Sequence, residues 1–65
     1  MIIVNGKEIE WINGEKIEET LERSDSSHPF MVVTVNGRWL RKDEWTTVET
    51  RDGDEVRTHA IIAGG

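Results

Sequence analysis

Phe30-Met31-Val32-Val33-Thr34-Val35-Asn36-Gly37-Arg38-Trp39-Leu40 describes a chain that runs out, turns sharply and comes back. Its first six residues are almost wholly apolar and include three valines, which suits an internal strand covered on at least one face. Asn36 and Gly37 both tolerate positive φ, so together they predict a two-residue hairpin turn. Arg38-Trp39-Leu40 is then a short return strand. The same signal stands at Asn5-Gly6, between Met1–Val4 and Lys7–Ile12. In the second of those runs Ile9 and Trp11 alternate with Glu8 and Glu10, giving one apolar and one wet face. Asp52-Gly53 precedes the last run, Glu55 to Ile62. There Val56, Thr58, Ala60 and Ile62 share one side, while Arg57, His59 and Ile61 share the other.

Between the hairpins, Glu15 to Ser24 predicts a short helix. Ile17, Thr20, Leu21 and Ser24 recur at helical spacing, and Glu18, Glu19 and Glu22 fill the other side. Asn13 is the expected cap, and the early carboxylates suit the positive end of the helix dipole. The apolar stripe is only Ile17 and Leu21 wide, so the helix needs the sheet to hold it. Arg23 to Pro29 is polar and rich in breakers, hence a loop. Lys42-Asp43-Glu44-Trp45 predicts a single helical turn or a tight loop, with Trp45 tucked beneath. The order hairpin, helix, strand, short strand, strand favours an α+β fold, a mixed four- to five-stranded sheet packed on one helix. That is the β-grasp (ubiquitin-like) arrangement; a ferredoxin-like one would need a second helix. The expected division is a β-grasp domain over 1–62 and a flexible Gly-Gly tail over 63–65.

Sixty-five residues leave room for one small core, and the chain has no cysteine to staple it. A large enzyme with its own substrate cleft is excluded by size. Eight Lys and Arg against 13 Asp and Glu give a net charge of −5. That argues against non-specific nucleic-acid binding and against an anionic membrane surface. Three basic and seven acidic residues precede His28, against five and six from His28 onward, so the helix half carries most of the excess. Apolar runs are too short to span a bilayer, and the first residues lack a signal-peptide pattern. Both features, with the lack of cysteine, point to the cytoplasm.

Catalytic constellations fail in turn. No cysteine nucleophile exists, His28 and His59 are not at metal-ligand spacing, and the six glycines form no phosphate-binding loop. Adjacent helical carboxylates such as Glu18 and Glu19 point in different directions. They are a solvated face, and the three tryptophans are core or partner-facing surface. No catalytic residue and no metal ligand is expected. What remains is Gly64-Gly65. The bland reading is a frayed end. The chemical reading makes the Gly65 carboxylate the reactive group, activated as an acyl-adenylate in a neighbouring protein. Glycine lacks a Cβ, so Gly64 and Gly65 can thread a channel that would exclude any side chain. Ile61, Ile62 and Ala63 supply apolar contacts upstream. Composition leaves both readings open.

The whole pattern resembles the ThiS/MoaD family of ubiquitin-like β-grasp sulfur carriers, and its ThiS branch most. The matching residues are Ile2-Ile3-Val4-Asn5-Gly6, the helix Lys16 to Glu22, Val33-Thr34-Val35-Asn36-Gly37, Arg41 with Trp45, Asp52-Gly53-Asp54-Glu55-Val56, and Ile61-Ile62-Ala63-Gly64-Gly65. Leu40, where similar members carry proline, Thr58 and Trp39 depart from the pattern. The resemblance implies a carrier that is a co-substrate, not an enzyme. A ThiF-like adenylating enzyme, using ATP and Mg²⁺ that it binds itself, would attach AMP to Gly65. Sulfide or a persulfide protein would then displace AMP, and the Gly65 thiocarboxylate would deliver sulfur to a thiazole synthase for thiamin biosynthesis. The carrier itself would bind no cofactor. Ile62, Ala63 and Gly64 would thread the partner's channel, and Arg57, His59 and Ile61 would form the docking surface. The alternatives are a MoaD-like carrier for molybdopterin synthesis, a ubiquitin-like modifier of lysines, and a non-covalent β-grasp binding module.

Overall fold

Five short strands, one helix and one 3-10 turn form over residues 1–26 and 31–60, the part of the chain that the computed structural model describes. Strand β1 (Ile2–Val4) returns into β2 (Lys7–Ile9), and β3 (Met31–Val35) returns into β4 (Arg38–Leu40). Both connections are the expected Asn-Gly turns, with φ of 52° and 84° at Asn5 and Gly6, and 53° and 83° at Asn36 and Gly37. Two consecutive left-handed residues match the twist of the flanking strands, and they fix the registers. Val35 lies opposite Arg38, Thr34 opposite Trp39 and Val33 opposite Leu40. Strand β5 (Glu55–Ala60) runs parallel to β1 and antiparallel to β3. The sheet order is β2-β1-β5-β3-β4, so β3 is internal and β5 takes the centre.

Helix α1 (Ile17–Arg23) lies on one face of this mixed sheet. Seven residues are too few to hold a helix alone, so burial of its apolar stripe supplies the stability. Ile17, Thr20 and Leu21 are all within 1 % of full burial. They meet Ile2, Val4, Met31, Val33, Leu40 and Val56, the sheet residues that face the helix. The 3-10 turn Lys42–Thr46 packs beside α1 and buries Trp45, as its sequence predicts. This one-helix, five-stranded mixed sheet is the β-grasp fold.

Three local expectations need correction. The helix begins at Ile17, and its N-cap is Lys16, not Asn13. Asn13 and Gly14 instead form a turn of their own, with Gly14 at φ 85° and Glu15 N–H donating to the Ile12 carbonyl at 3.2 Å. The segment after that turn is captured by a distant partner: Thr50 N–H donates to the Glu15 carbonyl, and Ile17 N–H to that of Val48. Lys16 forms a bridge with Glu49, and the Glu19 carboxylate accepts the Lys16 N–H at 3.0 Å, closing the helix start. Strand β2 stops at Ile9, not Ile12, because Ile9 already pairs with Ile2 and β1 offers nothing further. Trp11 still turns inward, its indole N–H donating to the Thr50 carbonyl at 3.2 Å. Ile61, Ile62 and the proposed boundary at residues 62 and 63 lie outside the described residues, as do His28, Pro29 and Phe30.

Glu15 ties the segment before the helix to the helix itself. Its carboxylate accepts two hydrogen bonds from the Arg23 guanidinium, at 2.9 and 3.0 Å, and one from the Thr20 hydroxyl. Arg23 donates further to the Glu10 carbonyl. The Arg23 hydrogen bonds hold the Glu15 carboxyl below its usual range, outweighing the opposing effect of burial, with Thr20 adding to the depression.

Candidate functional site

Strand periodicity divides the sheet into two unlike faces. Residues that pair across strands share a face, so Val32 with His59, and Trp39 with Thr34 and Arg57, all lie on the side away from the helix. Arg57 and His59 are exposed there, which is where their alternation in the last strand places them. The structure brings both onto one surface. Ile61, Ile62, Ala63, Gly64 and Gly65 lie outside the described residues.

The geometry of this face extends beyond the last strand. Trp39 on β4 is 64 % exposed, and its ring centroid lies 5.9 Å from that of His59 on β5, with the planes tilted by 35°. Thr34, between Trp39 and Arg57 in the pairing, is only 7 % exposed beneath them. The Arg57 guanidinium reaches along its own strand to Glu55 at 3.2 Å, so part of its charge is matched locally. Such an exposed pair is worth about 0–1 kcal/mol and leaves Arg57 able to change partners. The result is an aromatic and cationic strip over half-buried Val32, of the composition that anchors protein interfaces. Sequence reasoning did not place Trp39 in the docking surface. The signal is present all the same: a two-residue Asn36-Gly37 turn sets Trp39 opposite Thr34 by counting alone.

Strand β5 also carries an asymmetry along its edges. Toward β3 it is paired as far as Ala60, which stands opposite Met31. Toward β1 the backbone ladder ends when Asn5 N–H donates to the Val56 carbonyl at 2.9 Å. The next link is made by a side chain. The Asn5 amide oxygen accepts the Thr58 N–H at 2.9 Å, and the Asn5 amide nitrogen donates to the Thr58 hydroxyl at 2.9 Å. Asn36 does the same at the start of the strand, accepting the Glu55 N–H and donating to Asp54. The asparagines that make the two hairpin turns therefore also brace the strand that leads to Gly65.

Among the described residues no group of three or more His, Cys, Asp or Glu is placed to hold a metal, and no helix is long and apolar enough to cross a membrane. A hollow lined by Trp11, Val35, Arg38, Thr50 and Arg51 also takes in the carboxylates of Glu49, Asp52 and Asp54, with no histidine among its lining residues.

The model of the ThiS family matches residues 2–65. A protein of Archaeoglobus fulgidus, named as a candidate sulfur carrier, is 41 % identical over 54 residues, which is 83 % of this chain and 61 % of that relative. The chain thus spans under two thirds of that relative's length. The sulfur carrier protein ThiS of Escherichia coli is 25 % identical over 64 residues, covering 98 % of this chain and 97 % of the relative. Among solved structures, the thiamine biosynthesis protein ThiS of Geobacter metallireducens superposes with a TM-score of 0.77 at 25 % identity, over 98 % of this chain and 97 % of its own.

Proposed function

Because the chain belongs to the ThiS family, we propose that it is a sulfur carrier whose cargo rides on the carboxylate of Gly65. One observation carries this above the rest: the family match runs through Ile61-Ile62-Ala63-Gly64-Gly65 as well as through the folded body. The carrier is a co-substrate, and the catalytic groups belong to its partners.

A carboxylate resists attack by sulfur until one oxygen becomes a good leaving group. In this reading a ThiF-type adenylating enzyme, supplying ATP and Mg²⁺, joins a Gly65 carboxylate oxygen to the α-phosphorus of ATP, and pyrophosphate leaves. Hydrosulfide then adds to the acyl carbon and the bond to AMP breaks. A proton is released, and the Gly65 thiocarboxylate remains. A persulfide protein delivers the same sulfur once a thiol reduces the acyl disulfide formed. The acceptor is a thiazole synthase, the product thiamin thiazole, and the compartment the cytoplasm. The lack of cysteine suits this chemistry, since no internal thiol can intercept the activated acyl group. Arg57, His59 and Ile61 dock the carrier, while Ile62, Ala63 and Gly64 thread the narrow path to the nucleotide.

The test is intact mass after incubation with ATP, the cognate adenylating enzyme and a sulfur donor. Exchange of one oxygen for sulfur, localised to Gly65, is the expected result. High-mass lysine adducts would make the protein a modifier instead, and an unchanged mass with an active partner would remove the carrier reading. Gly64→Val is the matching variant. It should fold as the native chain does, yet lose adenylation through obstruction at the Cβ; thiolation at the native rate would refute the narrow-path argument.

A further inference from the structure

The asymmetry of β5 leaves a row of backbone groups to be accounted for. Thr58 N–H points toward β1, since it donates to the Asn5 side chain. Peptide groups alternate along a strand, so Thr58 C=O and Ala60 N–H face the same way. Among the described residues neither has a partner, because the β1–β2 hairpin has already turned back at Asn5-Gly6. Ala60 is exposed, and its small side chain shields nothing. Backbone groups at a strand edge are a template for another extended chain, and natural edges are ordinarily covered, charged or kinked against this. Among the described residues nothing covers this one, and in sequence it immediately precedes Ile61 to Gly65.

We propose that the β5 edge beyond Thr58, on the side away from β3, receives an extended segment of the protein that adenylates Gly65, which adds there as a strand. The proposal rests on the carrier reading above and deepens it by naming how the partner grips the carrier. Chain length identifies the occupant: the five residues after Ala60 reach at most about 18 Å when fully extended. A protein that holds Gly65 at its nucleotide therefore comes within that distance of the end of β5, where this edge is the nearest set of unpaired backbone groups among the described residues. Strand addition uses main-chain bonds, so it fixes the direction of the tail without requiring any particular side chain at position 60. It also complements the open face: Arg57 and His59 present side chains to the partner, while Thr58 and Ala60 present backbone.

Ala60→Pro separates backbone from side-chain recognition. Proline lacks the N–H and projects its ring where a paired strand would lie. The free protein loses no ladder bond, because Ala60 N–H does not face β3. Ala60→Val keeps the N–H and serves as the control. The measurement is kcat/KM for AMP transfer to Gly65 by the cognate adenylating enzyme, with Tm of each variant alongside. The expected result is a fall of about tenfold or more for Ala60→Pro and a near-native value for Ala60→Val. Native rates for both overturn the proposal, and so does an equal fall for both, which would place the effect in the side chain. A native chain that takes no AMP from an active enzyme overturns the carrier reading and this proposal with it. Should Ala60→Pro not fold, amide hydrogen exchange on the native chain decides. Protection of Ala60 N–H on adding the enzyme without ATP is the expected outcome, and unchanged exchange in a formed complex overturns it.

Discussion

The two faces of the sheet are built from the same five strands, yet they do opposite things. Toward the helix, Ile2, Val4, Val33, Leu40 and Val56 are no more than 7 % exposed. On the other face, one residue along in each strand, Ile3 and Val32 are half-buried while Trp39, Arg57 and His59 stand in solvent. Strand alternation thus assigns stability to one face and leaves the other free for recognition. Trp39, Arg57 and His59 stand largely in solvent and are free to meet a partner, whereas Thr34 beneath them is buried and belongs to the fold.

The sharpest way to break that contrast is to cut into the packed face. Leu21 is 1 % exposed and sits between the sheet and the helix whose stripe it forms with Ile17. Leu21→Ala should cost about 2–5 kcal/mol, the usual range for a buried leucine whose site relaxes only in part. A domain of this size is held by roughly 3–10 kcal/mol, so the variant should lose much of its folded population. Urea unfolding followed by circular dichroism reads this directly. A cost below about 1 kcal/mol would mean that the helix is not the element that seals the core.

Much of this contrast is legible in the sequence. Both Asn-Gly turns stand where β-branched runs flank them, and each turn fixes the pairing of its hairpin to the residue. The helix stripe and the burial of Trp45 are equally legible, since both follow from local spacing. The start of the helix is not. Asn13 has the chemistry of a cap, but Thr50 and Val48 hold Glu15 and Ile17 by backbone bonds from far along the chain, and local pattern carries no trace of that. The brace from Asn5 to Thr58 is hidden for the same reason. Of the candidate site, Arg57 and His59 are legible from alternation, whereas the Trp39–His59 contact depends on the order of strands β5, β3 and β4.

A smaller effect is expected at the margin of the packed face, where Glu15 binds Arg23 and Thr20. The depressed pKa of Glu15 means that the folded state favours its charged form, so this carboxylate contributes stability above its unfolded value, near 4.5. That contribution fades as pH falls below about 4.5 and is gone once pH is below the lower, folded value. Glu15→Gln removes the charge and keeps the shape, and should cost about 1–3 kcal/mol at pH 7. The difference between native and variant should shrink on acidification to about pH 3. Equal differences at both pH values would show that the Glu15 charge is not what holds the preceding segment to the helix.

The smallest change in stability belongs to the open face. Trp39 is the most exposed large apolar side chain among the described residues, and its contact with His59 is tilted and open to water. Removing it forfeits about 0.5–1.5 kcal/mol from that ring pair, well below the cost of cutting into the packed face. Trp39→Ala should therefore unfold only a little below the native urea midpoint, while kcat/KM for AMP transfer falls about tenfold or more if the indole anchors the partner. Both halves of the result are needed. A stability loss comparable to that of Leu21→Ala would make this second face a core and erase the division between the two. A native transfer rate would move the anchor away from β4, leaving recognition to Arg57, His59 and the backbone edge of β5. A variant that folds normally and transfers poorly separates what holds this sheet together from what it is built to meet.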